Sequence, residues 1–488
     1  MKVINEIIPR MSSATASLEY FSKGQLKRRA FKEIYLDVIR VFGCFRQLNL
    51  RPQSRVGIIG TNGYEFVVFD LACIAAGLIS VPFDPNGKYD LSTLINEYEL
   101  RVIFTNLGNE DRHEPHVISF DVIGKSSYCG VFQPHQFLPD DILTIKFTSG
   151  STQRPKAIEA KVKSADASIV SVQELFNHTS NDKILIFLPL HLLQQRYWIY
   201  SAILYNFNIV ISSSLSVMLA IQESRPTVIM GVPFFYETMR QRFLAKNSET
   251  SDCKNFWGGN IRYLWTGSAP LSDDILLFYE QMGIPLFQGY GMNETCIVSK
   301  NNFQNHKIGS VGKLLPNIDI QFDEDGQILI KNHNEVNIKY YKGSEEETKA
   351  TFSNGYVITG DLGYMDEEGY LFITGRKKDL IVLSSGKKIN PVKIENRLCQ
   401  SGLITNCMVY SNNSVFLAAF IEPSSPDVLE REIKGVIEEI NRELLPEEKI
   451  FQFILVSEPF TVENGLLTSQ YKLKRQAILN RFLNDVSA

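Results

Sequence analysis

The chain lacks any run long and apolar enough to cross a bilayer. Its most apolar window, residues 71–83, falls short of the roughly 20 residues a membrane helix needs. It also lacks a C-x-x-C pair. Its seven cysteines, at 44, 73, 129, 253, 296, 399 and 407, are odd in number and scattered, which fits unpaired buried thiols in a reducing compartment. There is no excess of positive charge: 50 Lys and Arg stand against 54 Asp and Glu, a formal net charge of −4, so nucleic acid is not expected as the main partner. The opening residues, MKVINEIIPRMSSATASLEYF, contain no uninterrupted apolar core, so no signal peptide is expected and the cytoplasm is the expected location. Short-period repeats and low-complexity tracts are absent too. What remains, 44% apolar and 21% charged residues, is an ordinary globular composition. At 488 residues the chain is too long for one core, so two to four domains are expected.

Short apolar runs alternate with helical periodicity through most of the chain. Residues 28–50 read as an amphipathic helix, residues 55–60 as a short buried strand, residues 65–76 as a helix and residues 78–83 as another strand. The rhythm continues to about residue 282 and predicts a largely parallel α/β sheet buried on both faces. From Lys307 the texture changes to short strands joined by Asp/Gly turns, as in Asp323-Glu-Asp-Gly326, which predicts a β-rich subdomain over about 307–375. A small α+β pattern follows. The expected division is therefore a large mixed α/β domain over 1–375 and a small C-terminal cap over 376–488.

Chemistry concentrates in a few stretches. Thr144-Ile-Lys-Phe-Thr148-Ser149-Gly150-Ser151-Thr152-Gln153-Arg154-Pro155-Lys156 is a strand-like lead-in that stops at a run of hydroxyls. Hydroxyls and N–H groups in a tight turn suit phosphate oxygens, and Lys156 adds a point charge. It is not the Walker pattern. Alone it reads equally well as a Ser/Thr-rich surface turn. Gly289-Tyr290-Gly291-Met292-Asn293-Glu294 follows the apolar residues 284–287 and reads as a loop beyond a strand's carboxyl end, where α/β proteins bind ligands. Tyr290 offers a stacking face, and Glu294 is a hard oxygen ligand suited to Mg²⁺; a Gly-rich turn with a capping Glu explains the same residues. Thr359-Gly360-Asp361, the basic junction running from Gly375-Arg376-Lys377-Lys378 to Gly386, and Leu467-Thr468-Ser469-Gln470-Tyr471-Lys472 are unremarkable singly.

In this order and spacing, the stretches resemble the adenylate-forming superfamily of acyl-CoA synthetases, peptide-synthetase adenylation domains and firefly luciferase, over roughly residues 28–480. The resemblance implies roles. Thr148, Ser149, Gly150, Ser151, Thr152 and Lys156 match a loop covering the β,γ-phosphates of ATP. Gly267, Ser268 and Ala269 match the segment flanking adenine and the acyl group. Gly289, Tyr290, Gly291, Met292 and Asn293 match the adenine-binding stretch, Tyr290 as the stacking ring and Glu294 as the Mg²⁺ ligand. Asp361 and Arg376 match the ribose-holding pair, Lys378 the hinge, Gly386 the thiol channel, and Lys472 the lysine that reaches the carboxylate and α-phosphate. An ordinary lysine needs no tuning to be charged there at neutral pH.

Three departures stand out: Gln153, Asn293 and Tyr471 occupy positions where glycine, threonine and glycine are usual. None removes a charge or ligand. The stretch around Lys472 looks most like that of fatty acyl-activating members. Between Pro189 and Tyr205 there is no carboxylate to hold an α-amine, and His191 is one place off the position many members use. The expected substrate is a medium- or long-chain fatty acid, with Phe234, Phe235, Leu264, Trp265 and Ala269 as candidate walls and ATP, Mg²⁺ and a pantetheine thiol as co-reactants. The thiol belongs to coenzyme A or an acyl carrier protein, which the basic residues Lys377, Lys378, Lys387, Lys388 and Lys393 suit. Amino- or aryl-acid adenylation and a non-catalytic nucleotide-binding module are the alternatives.

Overall fold

The computed structural model describes residues 3–22, 24–106, 116–124, 128, 130–148, 156–245, 253–267, 269, 271–334, 339–412, 416–468 and 472–483. Two large sheets face each other across a layer of helices. The first has nine strands in the order Lys313–Leu314, Cys296–Lys300, Leu286–Met292, Tyr263–Thr266, Val228–Gly231, Lys183–Ile186, Asn208–Ile211, Ser17–Ser22 and Gln25–Ala30. The second has six, in the order Val117–Ser119, Leu100–Thr105, Arg55–Ile59, Ile79–Phe83, Ile142–Phe147 and Ala157–Lys161. The inner strands of both are parallel, as short apolar runs separated by helices require.

Strand alternation sets which residues meet the helices between the sheets. Ile184, Ile186, Ile209, Ile211, Met230 and Trp265 join a core with the helices Phe31–Gln47, Tyr64–Ala76, Val162–Phe176 and Leu193–Tyr205. Their neighbours Leu185, Val210, Ile229 and Leu264 point the other way, against the helices Val217–Ser224, Pro233–Ala245 and Asp273–Gln281. Within the middle layer a polar knot fixes the helix Leu193–Tyr205. The guanidinium of Arg196, wholly buried, donates to Asp70 at 2.6 Å and to Ser80 and Thr144 at 3.0 Å, while Tyr200 donates to the other oxygen of Asp70 at 2.5 Å. Charges this deep persist only because each is paired and hydrogen-bonded.

The first 27 residues, outside the stretch that carries the resemblance, are integral to the body. The hairpin Ser17–Ser22 and Gln25–Ala30 forms one edge of the nine-stranded sheet, and Ile4 N donates to the buried carboxylate of Asp166 at 2.8 Å. The β-rich subdomain is a five-stranded sheet built from Ile318–Phe322, Gln327–Asn332, Tyr356–Met365, Phe352–Ser353 and Leu371–Arg376. The cap carries the strands Ile404–Asn412, Phe416–Pro423 and Ile450–Leu455 with the helices Pro391–Cys399, Glu430–Glu443 and Arg475–Phe482. Among the described residues, no helix is long and apolar enough to cross a membrane.

Candidate active site

The Gly-rich segment at 289–294 is not a loop. Leu286–Met292 is one strand, antiparallel to Cys296–Lys300, and only the turn after Met292 is free of the ladder. The glycines serve close approach between the strands: a Cβ on Gly291 would lie 2.2 Å from the carbonyl oxygen of Cys296. The turn carries Glu294 inward, where it is 5% exposed and accepts a hydrogen bond from Tyr340 Oη at 2.9 Å. Asn293 donates its amide to the carbonyl of Phe147 at 2.8 Å, tying this turn to the root of the hydroxyl-rich loop.

That loop closes a β-hairpin between Ile142–Phe147 and Ala157–Lys161. Its two ends are locked, Thr148 N to Lys156 O at 2.9 Å and Lys156 N to Thr148 Oγ1 at 3.2 Å. Ser149, Gly150, Ser151 and Thr152 lie outside the described residues, as do Ser268, Gln153 and Tyr471. The Lys156 ammonium sits over the Tyr340 ring, 4.6 Å from its centroid, and 3.4 Å from Glu347 Oε1. Tyr340 thus links the Lys156 and Glu294 positions, and sequence reasoning missed it. Its burial beside Glu294 raises its phenol pKa, so the hydroxyl remains a donor.

A second cluster joins the body to the cap. Asp361 and Arg376 face each other across antiparallel strands, Arg376 Nε 3.0 Å from Asp361 Oδ1, and Tyr290 Oη donates to Asp361 Oδ2 at 2.7 Å. The pair foreseen from sequence is therefore assembled on the same carboxylate that Tyr290 reaches. Lys472, from the cap, lies within electrostatic reach of Arg376, Asp361, Lys378 and Asp379. Its loop is pinned at both ends, Lys472 N to Thr468 Oγ1 at 3.1 Å and Lys474 N to Leu466 O at 2.9 Å.

Lys472 is not the ordinary lysine expected. Desolvation, with a further push from Arg376 and Lys378, lowers its pKa to about 8. Lys378, in the 3₁₀ turn Lys377–Asp379, is lowered too, by burial and then by Arg376. Just beyond Lys472, Arg475 makes a two-pronged pair with Glu395, 2.7 Å on each arm. It too went unnoticed in the sequence, where it reads as one more surface cation. Gly386 turns a small cap hairpin at φ +81°, with nothing within 4 Å of where a side chain would start, and makes none of these contacts.

Between the clusters the body holds a narrow apolar cavity of about 50 Å³, partly open to solvent. Gly267, Gly289, Tyr290 and Gly291 form one wall. Deeper in, the helices contribute Val172 and Trp198, and the strands Met230 and Trp265. Of the five wall residues expected, only Trp265 lines this cavity. Leu264 is its neighbour along the strand and points into the opposite core, Phe235 packs on Phe187 and Trp257 in that same core, Phe234 is exposed, and Ala269 is not part of the lining. His191 is half-buried, and burial lowers its pKa.

The basic junction also differs from expectation. Lys377 pairs with Asp323 at 2.9 Å and Asp325 at 3.1 Å, Lys388 pairs with Asp325 at 2.8 Å, and Lys387 pairs with Glu447. These lysines tie the cap to the β-rich subdomain and to itself, instead of forming an open patch.

Comparison with known proteins decides the family. The profile of the AMP-binding enzyme matches residues 12–335, and that of the AMP-binding enzyme C-terminal domain matches residues 378–488. The chain belongs to the AMP-binding enzymes. It is an adenylate-forming acid–thiol ligase, and the o-succinylbenzoate coenzyme A synthetase of Bacillus subtilis has been solved in complex with ATP and a magnesium ion. A long-chain-fatty-acid–CoA ligase, FadD15 of Mycobacterium bovis, is 25% identical over 90% of the chain and 88% of the relative. A 2-succinylbenzoate–CoA ligase of Bacillus subtilis is 28% identical over 92% and 94%. Among solved structures, the o-succinylbenzoate CoA synthetase of Bacillus subtilis with its acyl-adenylate superposes with a TM-score of 0.82 at 23% identity, covering 97% of each chain. The anthranilate CoA ligase AuaEII with anthranoyl-AMP gives 0.84 at 17% identity, covering 100% and 98%. At those identities the likeness is one of fold.

Proposed function

We propose that this AMP-binding enzyme activates a compact carboxylic acid, of medium chain length or aromatic, as its adenylate and then transfers the acyl group to coenzyme A. The observation that carries this reading is the apolar cavity walled by Tyr290 and Gly291, on the strand whose Tyr290 also reaches Asp361 in the cluster with Arg376 and Lys472. Trp198 and Trp265, at right angles with centroids 5.2 Å apart, give it flat walls suited to a ring or a short chain. That bulk favours a shorter acid than the substrate named in FadD15. 2-Succinylbenzoate, named in the Bacillus subtilis relative, is the second reading.

In the first step a carboxylate oxygen attacks the α-phosphorus of ATP and the bond to pyrophosphate breaks. Two anions must meet, so stabilising charge is the main catalytic task. We assign Lys472 to the carboxylate and α-phosphate, Asp361 and Arg376 to ribose, Tyr290 with its flanking Gly289, Gly291 and Met292 to adenine, and Gly267 and Ala269 to its rim. Thr148 and Lys156, with the hydroxyls at 149, 151 and 152, are assigned to the terminal phosphates. Glu294 would hold Mg²⁺, which supplies neutralising charge on the phosphates.

In the second step a thiol attacks the acyl carbon and AMP leaves. That attack needs its own approach path, so the cap over 376–488 is proposed to turn about Lys378, withdrawing Lys472 and bringing Gly386 to the thiol channel. Coenzyme A is preferred over a carrier protein because Lys377, Lys387 and Lys388 are already paired. A cytoplasmic setting accords with the six described cysteines, all free thiols.

ATP–pyrophosphate exchange over a panel of fatty, aryl and amino acids tests the reading. The best acid is then supplied with coenzyme A or a holo-carrier protein. Exchange with none of the acids refutes it, and thioester formed only on the carrier overturns the choice of thiol.

A further inference from the structure

Tyr340 touches both charged side chains at the phosphate end of the site, yet belongs to neither of the stretches that carry them. Its hydroxyl donates to Glu294 Oε1 at 2.9 Å, and the Lys156 ammonium lies over its ring, 4.6 Å from the centroid. A phenol has one proton, so its other neighbour acts in the opposite sense. The Thr351 hydroxyl, 3.3 Å from the phenol oxygen, donates to it and leaves the phenol proton for the carboxylate. Tyr340 is itself fixed. It is 6% exposed, its backbone bridges to Ile158, Tyr341 N donates to Ala157 O at 2.8 Å, and its ring meets that of Phe352 edge-on with centroids 5.5 Å apart. The contacts with Ala157 and Ile158 attach it to the strand that begins directly after Lys156.

An acid and a base held on one side chain, where water is scarce, attract each other strongly. Here they do not meet. Among the described residues, the Lys156 ammonium pairs with Glu347 at 3.4 Å, and no ion pair joins it to Glu294. Glu347 is about half exposed, so that pair is weak and readily given up to a ligand. Glu294 is 5% exposed and takes its hydrogen bond from the neutral phenol. An uncharged ring thus serves both ions, its hydroxyl satisfying the carboxylate and its face the ammonium. Neither charge is cancelled by the other. A metal–triphosphate calls for that arrangement, because its cation seeks the carboxylate while its phosphate oxygens seek the ammonium. A direct pair between Lys156 and Glu294 would have to break before such a ligand could bind.

We propose that Tyr340 is a positioning residue: a neutral spacer that keeps Glu294 available to the Mg²⁺ of the bound nucleotide and keeps Lys156 from neutralising it. This rests on the assignment of Glu294 and Lys156 to ATP and its metal made above, and it places a third residue, from a separate stretch, in control of both.

ATP binding by titration calorimetry, with Mg²⁺ and again with EDTA, tests it. The ratio of the two dissociation constants is the metal preference, measured for wild type, Tyr340→Phe and the double variant Tyr340→Phe/Lys156→Met. Wild type should bind ATP more tightly with the metal. Tyr340→Phe keeps the ring but releases Glu294 to Lys156, and should reduce the metal preference by about ten- to a hundredfold, the range for losing a hydrogen bond to a charged group. Removing Lys156 in the same background frees the carboxylate again. The double variant should therefore recover most of the metal preference while binding ATP more weakly overall. A role in packing alone would move neither the preference nor its recovery, and each ratio comes from one preparation, so partial unfolding cancels. An unchanged metal preference in Tyr340→Phe, or no recovery in the double variant, overturns the proposal and leaves acid activation standing. Wild type that binds ATP equally well with and without the metal refutes the Glu294 assignment, and this inference with it.

Discussion

The depressed pKa of Lys472 turns the division of labour between the half-reactions into a pH experiment. With a pKa of about 8, the free enzyme holds most of its Lys472 charged at pH 7. By pH 9 only about one-tenth remains so, whereas a lysine at the ordinary value of about 10.4 would still be more than nine-tenths charged. Only the ammonium neutralises the meeting of carboxylate and α-phosphate, so kcat/KM for exchange should fall about tenfold per pH unit above 8. Bound ATP brings negative charge that pulls the pKa back up. The alkaline limb is therefore sharpest in kcat/KM, which reports the free enzyme, and moves to higher pH at saturation. Thioester formation from a supplied acyl-adenylate should rise through the same window, because the attacking species is the thiolate, with a free-thiol pKa of about 8.5.

Two variants complete the assay. Lys472→Arg keeps its charge across the range and should abolish the alkaline limb, at whatever absolute rate its different shape allows. Lys472→Ala should lower exchange by about a hundred- to a thousandfold, the usual loss for one preorganised charge-stabilising group, and spare thioester formation. An exchange profile flat to pH 10, an alkaline limb that persists in Lys472→Arg, or equal loss of both half-reactions in Lys472→Ala would refute the assignment.

Three further outcomes follow from particular contacts. Arg475→Met leaves the nearly buried Glu395 carboxylate without its two-pronged partner, and should destabilise the cap by about 2–3 kcal/mol, below the 3–5 kcal/mol of a fully buried pair because Arg475 retains 19% exposure; denaturant unfolding within 0.5 kcal/mol of wild type would contradict this. Trp198→Ala removes a flat wall and should shift the exchange optimum toward longer acids, each newly buried methylene contributing about 0.8 kcal/mol, or roughly fourfold in kcat/KM; an unchanged octanoate-to-hexanoate ratio would show that Trp198 does not limit the chain. Burial raises the Asp166 pKa to about 6, against the hydrogen bond from Ile4 that lowers it. The stability it contributes is thus present below the unfolded carboxylate pKa near 4 and lost as pH rises through 6. Asp166→Asn should therefore stabilise the protein by on the order of 2 kcal/mol at pH 7 and by nothing at pH 4; a difference independent of pH would refute the shift.

The legible parts of the sequence are those where chemistry restricts residue type. Asp361 and Arg376 were expected to act together, and they stand 3.0 Å apart; ribose binding by the pair is part of the proposed function. The strand rhythm was visible because parallel strands buried on both faces are short apolar runs. The cavity was not. The helix Leu193–Tyr205 is buried on nearly every side, so no polar stripe marks which face Trp198 presents, and the Trp265 and Leu264 faces separate only once the strand's alternation is fixed in space. The segment at 289–294 reads as a loop because glycine is depleted in ordinary strands, although here it is needed for close backbone approach.

The forces on Lys472 have a built-in asymmetry that suits alternation. Inside the cap, the lysine loop is tied to the buried Arg475–Glu395 pair, whose loss costs several kcal/mol. Between cap and body, ties among the described residues include Lys388 with Asp325, at 50% and 38% exposure, and the Asn390 amide on the Thr374 carbonyl. Lys377 with Asp323 and Asp325 sits at the hinge itself. Exposed pairs contribute about 0–1 kcal/mol each and are screened by salt. Together these named ties come to about 1–2 kcal/mol, a bias of about five- to thirtyfold, which a nucleotide or thiol with a modest preference for the other orientation can reverse. In the proposed alternation the cap would therefore move as one piece carrying its lysine, because the Arg475–Glu395 pair within the cap is stronger than these exposed ties between cap and body. The same desolvation that lowers the Lys472 pKa disfavours its charge in the empty site, so in the proposed role the anions of ATP and the acid would stabilise the orientation that receives them.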